Sequence, residues 1–306
     1  MFLFILKRLA QIVPVILGVT LVVFLIMQMV PGDPAVIMAG EGASKETVNE
    51  LREDLGLNRP LHEQYFSYVG NVFRGDLGNS LKNNQPVMGE IMIRLPITME
   101  LAFFSILITI VLGLIAGIIS AVRPYSFSDI SVMVVALIGI SLPSFWLGLL
   151  LMYVFSVKLQ WLPVAGWDST AHIILPAITL GAGGAAIVAR MTRSSMLEVV
   201  GQDYIRTAKA KGLKGHVIIY KHALRNALIP VITVVGLQFG SLLGGTVLVE
   251  SVFAINGLGR MIVDAIRTRD IPMVQGGVLV ASLVFVFVNL LVDVMYKVFN
   301  KRIDLN

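Results

Sequence analysis

The 306-residue sequence has no cysteine, no Gly-Lys dipeptide, little charge and few histidines. Without cysteine, disulfides, thiolate metal sites and cysteine nucleophiles are excluded. Without Gly-Lys there is no phosphate-cradling GxxxxGK[ST] loop, so the chain does not encode an ATPase of that type. No G-x-S-x-G nucleophile motif occurs. The four histidines, His62, His172, His216 and His222, lack a paired spacing such as His-x3-His, which argues against a metal site. Charged residues form 14% of the chain, against about a quarter in soluble proteins, and hydrophobic residues 56%. This composition describes a polytopic membrane protein. The net charge of +5 is unevenly distributed, so it reads as a sidedness signal and not as a nucleic-acid footprint.

Lys7 and Arg8 precede Leu9 to Val30, a nearly uncharged run of 22 residues that reaches about 33 Å as a helix, enough to cross a bilayer. It is longer than a signal-peptide core and no Ala-x-Ala site closes it. Residues 1–30 are therefore expected to be a cytoplasmic N-terminus and an uncleaved first span. Residues 31–98 form the one long polar segment, with six Lys/Arg against nine Asp/Glu, a bias that fits the outer face. Ser44 is placed to cap a helix with Val48, Leu51 and Leu55 on one face, ended by Gly56. After a turn at Asn58-Arg59-Pro60, Phe66, Val69 and Phe73 repeat at helical spacing in a second helix ending near Gly75. The segment reads as a small amphipathic helical insert without a core of its own.

Residues 99–306 are expected to carry five further spans: Met99 to Val122, about Ser131 to Val157, Ile173 to Ala189, Leu228 to Val249, and Met273 to Tyr296. Ser141-Leu142-Pro143-Ser144 predicts a kink in the third. Trp161 and Trp167 suit an outer interfacial belt. With Lys297, Lys301 and Arg302 after the last span, six spans put both termini and every basic cluster inside. The expected fold is an all-α polytopic membrane protein: six transmembrane helices with an extracytoplasmic helical insert between the first and second.

The loop at about 190–227 is a basic island between apolar spans, with eight Lys/Arg against Glu198 and Asp203, and it is expected in the cytoplasm. Asp203 is a candidate N-cap, Lys209 and Lys211 suit a helix C-terminus, and Gly212 suits the left-handed residue that ends it. Val217, Tyr220 and Leu224 are expected on one side of a second short helix. The run QDYIRTAKAKGLKGHVIIYKHALRNALIP, Gln202 to Pro230, resembles the EAA loop of ABC-importer permeases, with Arg206-Thr207-Ala208 at the Glu-Ala-Ala triplet, Gly212 at the glycine and Leu224 at the leucine. His222 and Arg225 replace the Ile and Pro of the general pattern, as in the oligopeptide/dipeptide (peptide/nickel-type) branch. The segments LGLNRPLHEQYFSYVGNVFRGDLGNSL and RLPITMELA resemble the same branch.

The resemblance implies a transport subunit, not an enzyme, of the bacterial cytoplasmic membrane. Asp203, Arg206, Thr207, Ala208, Gly212, Leu224 and Arg225 would couple it to an ATPase. The implied partners are a second homologous permease, two ABC ATPases that bind the ATP and Mg, and an extracytoplasmic peptide-binding protein. The implied cargo is a di- or oligopeptide, with glutathione or a nickel chelate as alternatives.

Gly236, Gly240 and Gly244 recur every fourth residue on the fifth span, with Gly245 and Gln238 beside them. The stripe suits either close packing within one subunit or a translocation pathway shared with a second permease. Gly113 and Gly117 read as packing, and Gly181, Gly183 and Gly184 as a loosening of the fourth span. Gln238 and Asn289 suit hydrogen bonds between helices. Asp293 and Glu250 are the clearest charges within the spans, each near an end. A stand-alone ion-coupled carrier usually needs carboxylates or histidines near the midplane, and none stands there. A scaffold that recruits a cytosolic protein, or a basic tether on anionic lipid, would explain the loop but not the glycine stripe.

Overall fold

The structure, a computed structural model, describes residues 2–29, 32–40 and 42–299. The expected cytoplasmic charges Lys7, Arg8, Lys297, Lys301 and Arg302, the span residue Asp293 and the side of Gly245 lie outside what is described at side-chain level. The described residues are helical, with a single isolated bridge between Asn79 and Pro86. In chain order the helices are α1 (Phe2–Met29), α2 (Pro34–Ala39), α3 (Lys45–Asp54), α4 (Leu61–Phe73), α5 (Val87–Val122), α6 (Phe127–Ser141), α7 (Ser144–Leu151), α8 (Thr170–Val200), α9 (Asp203–Ala210), α10 (Gly215–Val217), α11 (Leu224–Val252), α12 (Leu258–Thr268) and α13 (Ile271–Phe299). π-helical turns continue α7 through Met152–Lys158 and join α10 to α11 through Ile218–Ala223.

Four of these helical stretches are long and apolar enough to cross a membrane: Val87–Val122, Thr170–Val200, Gly215–Leu242 and Ile271–Val292. A fifth is reached if α6 and the helix from Ser144 to Lys158 count as one span, bent by 110°. The expected kink is thus a full break. Pro143 has no N–H to continue α6, and Leu142 before it is extended at ψ 130°, the conformation a following proline favours. The apolar part of α1 described at side-chain level, Val13–Met29, is shorter than those four.

The membrane helices overrun their apolar cores. α5 begins at Val87, so residues 87–98, expected in the insert, are its first turns and hold the Arg94–Glu90 ion pair one turn apart. α8 continues to Val200, so Arg190 and Arg193, expected in the loop, are helical. Hydropathy marks where side chains turn polar, whereas the backbone hydrogen-bond ladder continues until a glycine or cap interrupts it.

The chain divides into two compact units. The first comprises residues 1–97 and 257–287, the second residues 98–256 and 288–306. In the first, Leu77, Val87 and Ile91 pack with Leu258, Met261 and Ala265 of α12 and Met273, Val274 and Leu279 of α13. Close approach is set by Gly276, where a Cβ would stand 2.5 Å from Val87 Cγ1. Asp270 leads into α13, its buried carboxylate accepting from Ser80 Oγ, from the Leu81 N–H at 3.1 Å and from the Met273 N–H at 3.4 Å. Within residues 32–75, Ser44 Oγ accepts from the Thr47 N–H at 3.2 Å, and no residue of α3 or α4 is buried.

In the second unit α8 is the central post. Ser105, Thr109, Gly113 and Gly117 recur every fourth residue of α5 and lie against it. An added Cβ on Gly113 would stand 2.6 Å from Val188, one on Gly117 2.5 Å from Thr192, and one on Gly181 2.7 Å from the Ser105 carbonyl. Thr109 Oγ1 donates to the Gly181 carbonyl at 3.0 Å. Gly181 and Gly184 therefore do not loosen α8, which is unbroken; Gly181 admits the backbone of α5 and Gly184 the side chain of its Thr109.

Candidate functional site

The second unit ends, at the foot of α8, in the basic segment. α9 is short and two-sided. Ile205 and Ala208 are buried, while Asp203, Arg206, Thr207 and Lys209 are exposed. The buried pair joins Ala121 of α5, Met196 of α8, Ile218 and Ala223 of the π turn, and Ala227 at the start of α11 in one cluster. α9 is therefore packed on the ends of three long helices. Asn226 adds a tether, its Nδ2 donating to Tyr204 Oη at 2.7 Å.

Several expectations are corrected here. The residue before α9 is Gln202, which makes no side-chain cap bond. Asp203 is instead the first helical residue, where its charge favours the positive end of the helix. Its carboxylate accepts from Arg206 Nη1 at 3.3 Å, with both side chains in solvent. Ala208 does not stand on an open face but is sealed into the cluster at 7% exposure. Gly212 ends the segment at φ +74°, with nothing within 4 Å of where a Cβ would lie. The second short helix does not stand alone, because α10 runs through the π turn into α11. Its packed face is Ile218 and Ala223, whereas Tyr220 is 59% exposed. The i→i+5 turn holds an extra residue, so a 3.6-residue count selects the wrong side. Leu224 is half-buried at the start of α11 and Arg225 is exposed.

Sequence reading also missed what anchors the site. Asp129, in the first turn of α6, is almost fully buried and accepts from Arg193 of α8 through Nε and Nη2, both at 2.7 Å. Ser120 Oγ of α5 and the Tyr125 N–H, at 2.8 Å, complete its shell. Ser126 Oγ accepts from the Asp129 N–H at 3.3 Å, so Ser126-x-x-Asp129 is a helix-start signature that was legible in the sequence. Its ionic partner was not, being 64 residues away.

The glycine stripe of α11 divides. Gly236 is buried against α13, where a Cβ would stand 2.2 Å from Val292 Cγ1, and Gly240 is buried as well. Gly244 is exposed with open space beside it. Gln238 faces α8, its Nε2 3.2 Å from where a Cβ on Gly184 would lie. Glu250 is fully buried and accepts from Thr98 Oγ1 at 2.7 Å. Among the described residues no group of three His, Asp or Glu is arranged to hold a metal ion.

The description "Binding-protein-dependent transport system inner membrane component" matches residues 110–305, and its N-terminal counterpart matches residues 1–102. The chain is 45% identical to the dipeptide transport system permease protein DppB of Alkalihalophilus pseudofirmus, over 97% of this chain and 98% of that one. It is 46% identical to the glutathione transport system permease protein GsiC of Escherichia coli K12, over 98% of each. Among solved structures, an inward-facing form of the MetNI methionine ABC transporter superposes with TM-score 0.56 at 22% identity, covering 70% of this chain and 97% of that one. At that identity the likeness concerns the fold.

Proposed function

The chain belongs to the binding-protein-dependent transport system inner membrane components, and on that premise we propose that it is the permease half that carries short peptides inward, with α9 as its contact to an ATPase. It is a membrane permease of an ABC importer and not an enzyme; ATP hydrolysis lies in separate subunits. The observation that carries the coupling role is α9 itself. Its exposed face of Arg206, Thr207 and Lys209 stands on a buried footing shared by α5, α8 and α11. A rigid footing is what a coupling element needs, since force applied at α9 then moves helices and does not merely bend a loop.

In this reading six spans cross the membrane: α1, α5, α6 with α7 as one bent span, α8, α11 and α13. Both termini and α9 face the cytoplasm, and residues 31–86 stand outside. Two ATPases, binding ATP and Mg between them, close against this chain and a second homologous permease. That closure rocks the spans, and a peptide delivered by an extracytoplasmic binding protein passes between the two permeases. The open side at Gly244 suits the shared pathway, whereas Gly236 serves packing. Peptide cargo is supported by the similarity to the dipeptide permease. Glutathione, itself a tripeptide, fits equally, given the similarity to glutathione permeases.

The test is co-purification in mild detergent followed by reconstitution with a binding protein. A homologous permease and ATPases should accompany the chain, ATP hydrolysis should require them, and labelled dipeptide or glutathione should enter vesicles only with ATP. Uptake by the chain alone under an ion gradient would overturn the reading.

A further inference from the structure

α4 carries three strips. Tyr65, Tyr68 and Val72 face inward within the first unit. The Tyr65 ring is tilted against Phe24 of α1 and the Tyr68 ring stacks on it, with centroids 5.5 and 6.4 Å away, and Val72 packs on the core shared by α12 and α13. Gln64, Ser67 and Asn71 line a cavity of about 340 Å³, whose floor includes Phe24, Met27 and Leu77. Burial pushes the Tyr68 phenol up to about 12, with the neighbouring Tyr65 adding to the shift. The third strip is Phe66, Val69 and Phe73, with Phe66 69% and Phe73 68% exposed. The two apolar strips lie side by side, about 100° apart around the helix at 3.6 residues per turn, and among the described residues the protein covers only the first.

The position of α4 on α1 identifies what surrounds the other. Tyr65 Oη lies 3.2 Å from both Thr20 Oγ1 and the Leu17 carbonyl, and Gln64 Oε1 accepts from Gln28 Nε2 at 3.4 Å. α4 therefore lies against the outer half of α1 and not beyond its end at Met29. The neighbouring surface of α1 is an exposed apolar field of Leu21, Val22, Leu25 and Ile26, each 43–55% exposed. Along α4, the one acidic or basic residue besides His62 is Glu63 in its first turn. Arg59 and Arg74 flank its two ends, both exposed. Aromatic residues on one face with basic residues at the ends describe a helix lying in the headgroup boundary, its apolar strip about 5–10 Å deep.

We propose that α4 is a membrane-interface helix whose Phe66–Val69–Phe73 strip is inserted among the acyl chains of the outer leaflet, bracing α1 laterally. The proposal rests on the reading of α1 as a membrane span. It changes the insert from a cap standing in water to one partly seated in lipid.

The absence of native cysteine permits a direct test on the full chain reconstituted in vesicles of phosphatidylethanolamine and phosphatidylglycerol. Nitroxide labels are placed singly at Phe66→Cys, Phe73→Cys, Leu25→Cys on α1 and Glu50→Cys on α3, and their collisions with oxygen and with a water-soluble nickel chelate are compared. Labels at 66 and 73 should favour oxygen over the chelate, as label 25 does, while label 50 shows the opposite preference. If label 25 favours oxygen but 66 and 73 favour the chelate, the insertion is overturned and the span stands. If label 25 favours the chelate, the span reading itself fails. Labels at 66 and 73 that are open to the chelate until a binding protein is added, and then shielded, would assign the strip to a protein partner and overturn the proposal.

Discussion

Arg193 donates two 2.7 Å hydrogen bonds to the carboxylate of Asp129, so the foot of α8 is clamped to the first turn of α6 by a bidentate ion pair. Asp129 is the only acid in the first turn of α6, and Ser120 Oγ of α5 joins the same carboxylate. Three helices thus meet at one buried charge, beside the cluster that holds α9.

Breaking one partner of such a pair leaves a buried charge uncompensated, which costs about 3–5 kcal/mol. Asp129→Ala and Arg193→Ala should each lower the midpoint of thermal unfolding in detergent. The double variant should lose clearly less than the sum of the two. Additive losses would show that the two side chains do not act as a pair.

The contact between α5 and α8 has no room for a methyl group at Gly117, where a Cβ would lie 2.5 Å from Thr192 Cβ and 2.6 Å from the Ala189 carbonyl. Gly117→Ala should therefore destabilise by about 1–3 kcal/mol through overpacking. Gly183→Ala, on α8 but facing open space, should be neutral or stabilising by up to about 1 kcal/mol through helix propensity. Thermal unfolding in the same detergent compares the two, and a stabilising Gly117→Ala would contradict the close approach.

At α9 and the turn that follows it the structure separates two kinds of defect. Gly212→Val places a β-branched residue at φ +74°, which strains the turn by about 1–2 kcal/mol without touching a neighbour. Arg206→Glu reverses an exposed charge. Both should preserve membrane abundance while weakening ATPase association and uptake. Ala208→Glu instead forces a charge into the cluster around Met196 and should lower abundance itself. Wild-type uptake and ATPase co-purification in the first two variants would mean that α9 is not the docking element.

Sidedness is checked by an impermeant maleimide on intact cells. Exposed Glu50 and Lys211, each changed to Cys, should react from outside and only after permeabilisation, respectively. Reversed labelling would invert the orientation proposed for the chain.

What the sequence determined by itself are the properties carried by local order. Apolar runs far longer than a soluble core helix made this an all-helical membrane protein. Pro143 foretold the break between α6 and α7, and a glycine after Lys209 and Lys211 foretold the left-handed turn at Gly212. The Arg206-Thr207-Ala208 to Leu224 motif pointed to a coupling role, which the structure equips with a footing and leaves to experiment. What only the tertiary structure decided depends on neighbours far along the chain. Gly113, Gly117, Gly181 and Gly184 look alike in sequence whether they loosen a helix or admit another, and the approach of α5 to α8 decides it. Ala208 and Arg206 share one short helix, yet one lies in the core and the other in water, because the π turn at Ile218–Ala223 sets which face α11 presents to α9. Asp129 could be read as a helix-start residue, but the buried charge that makes it a clamp exists only once Arg193 arrives from 64 residues away.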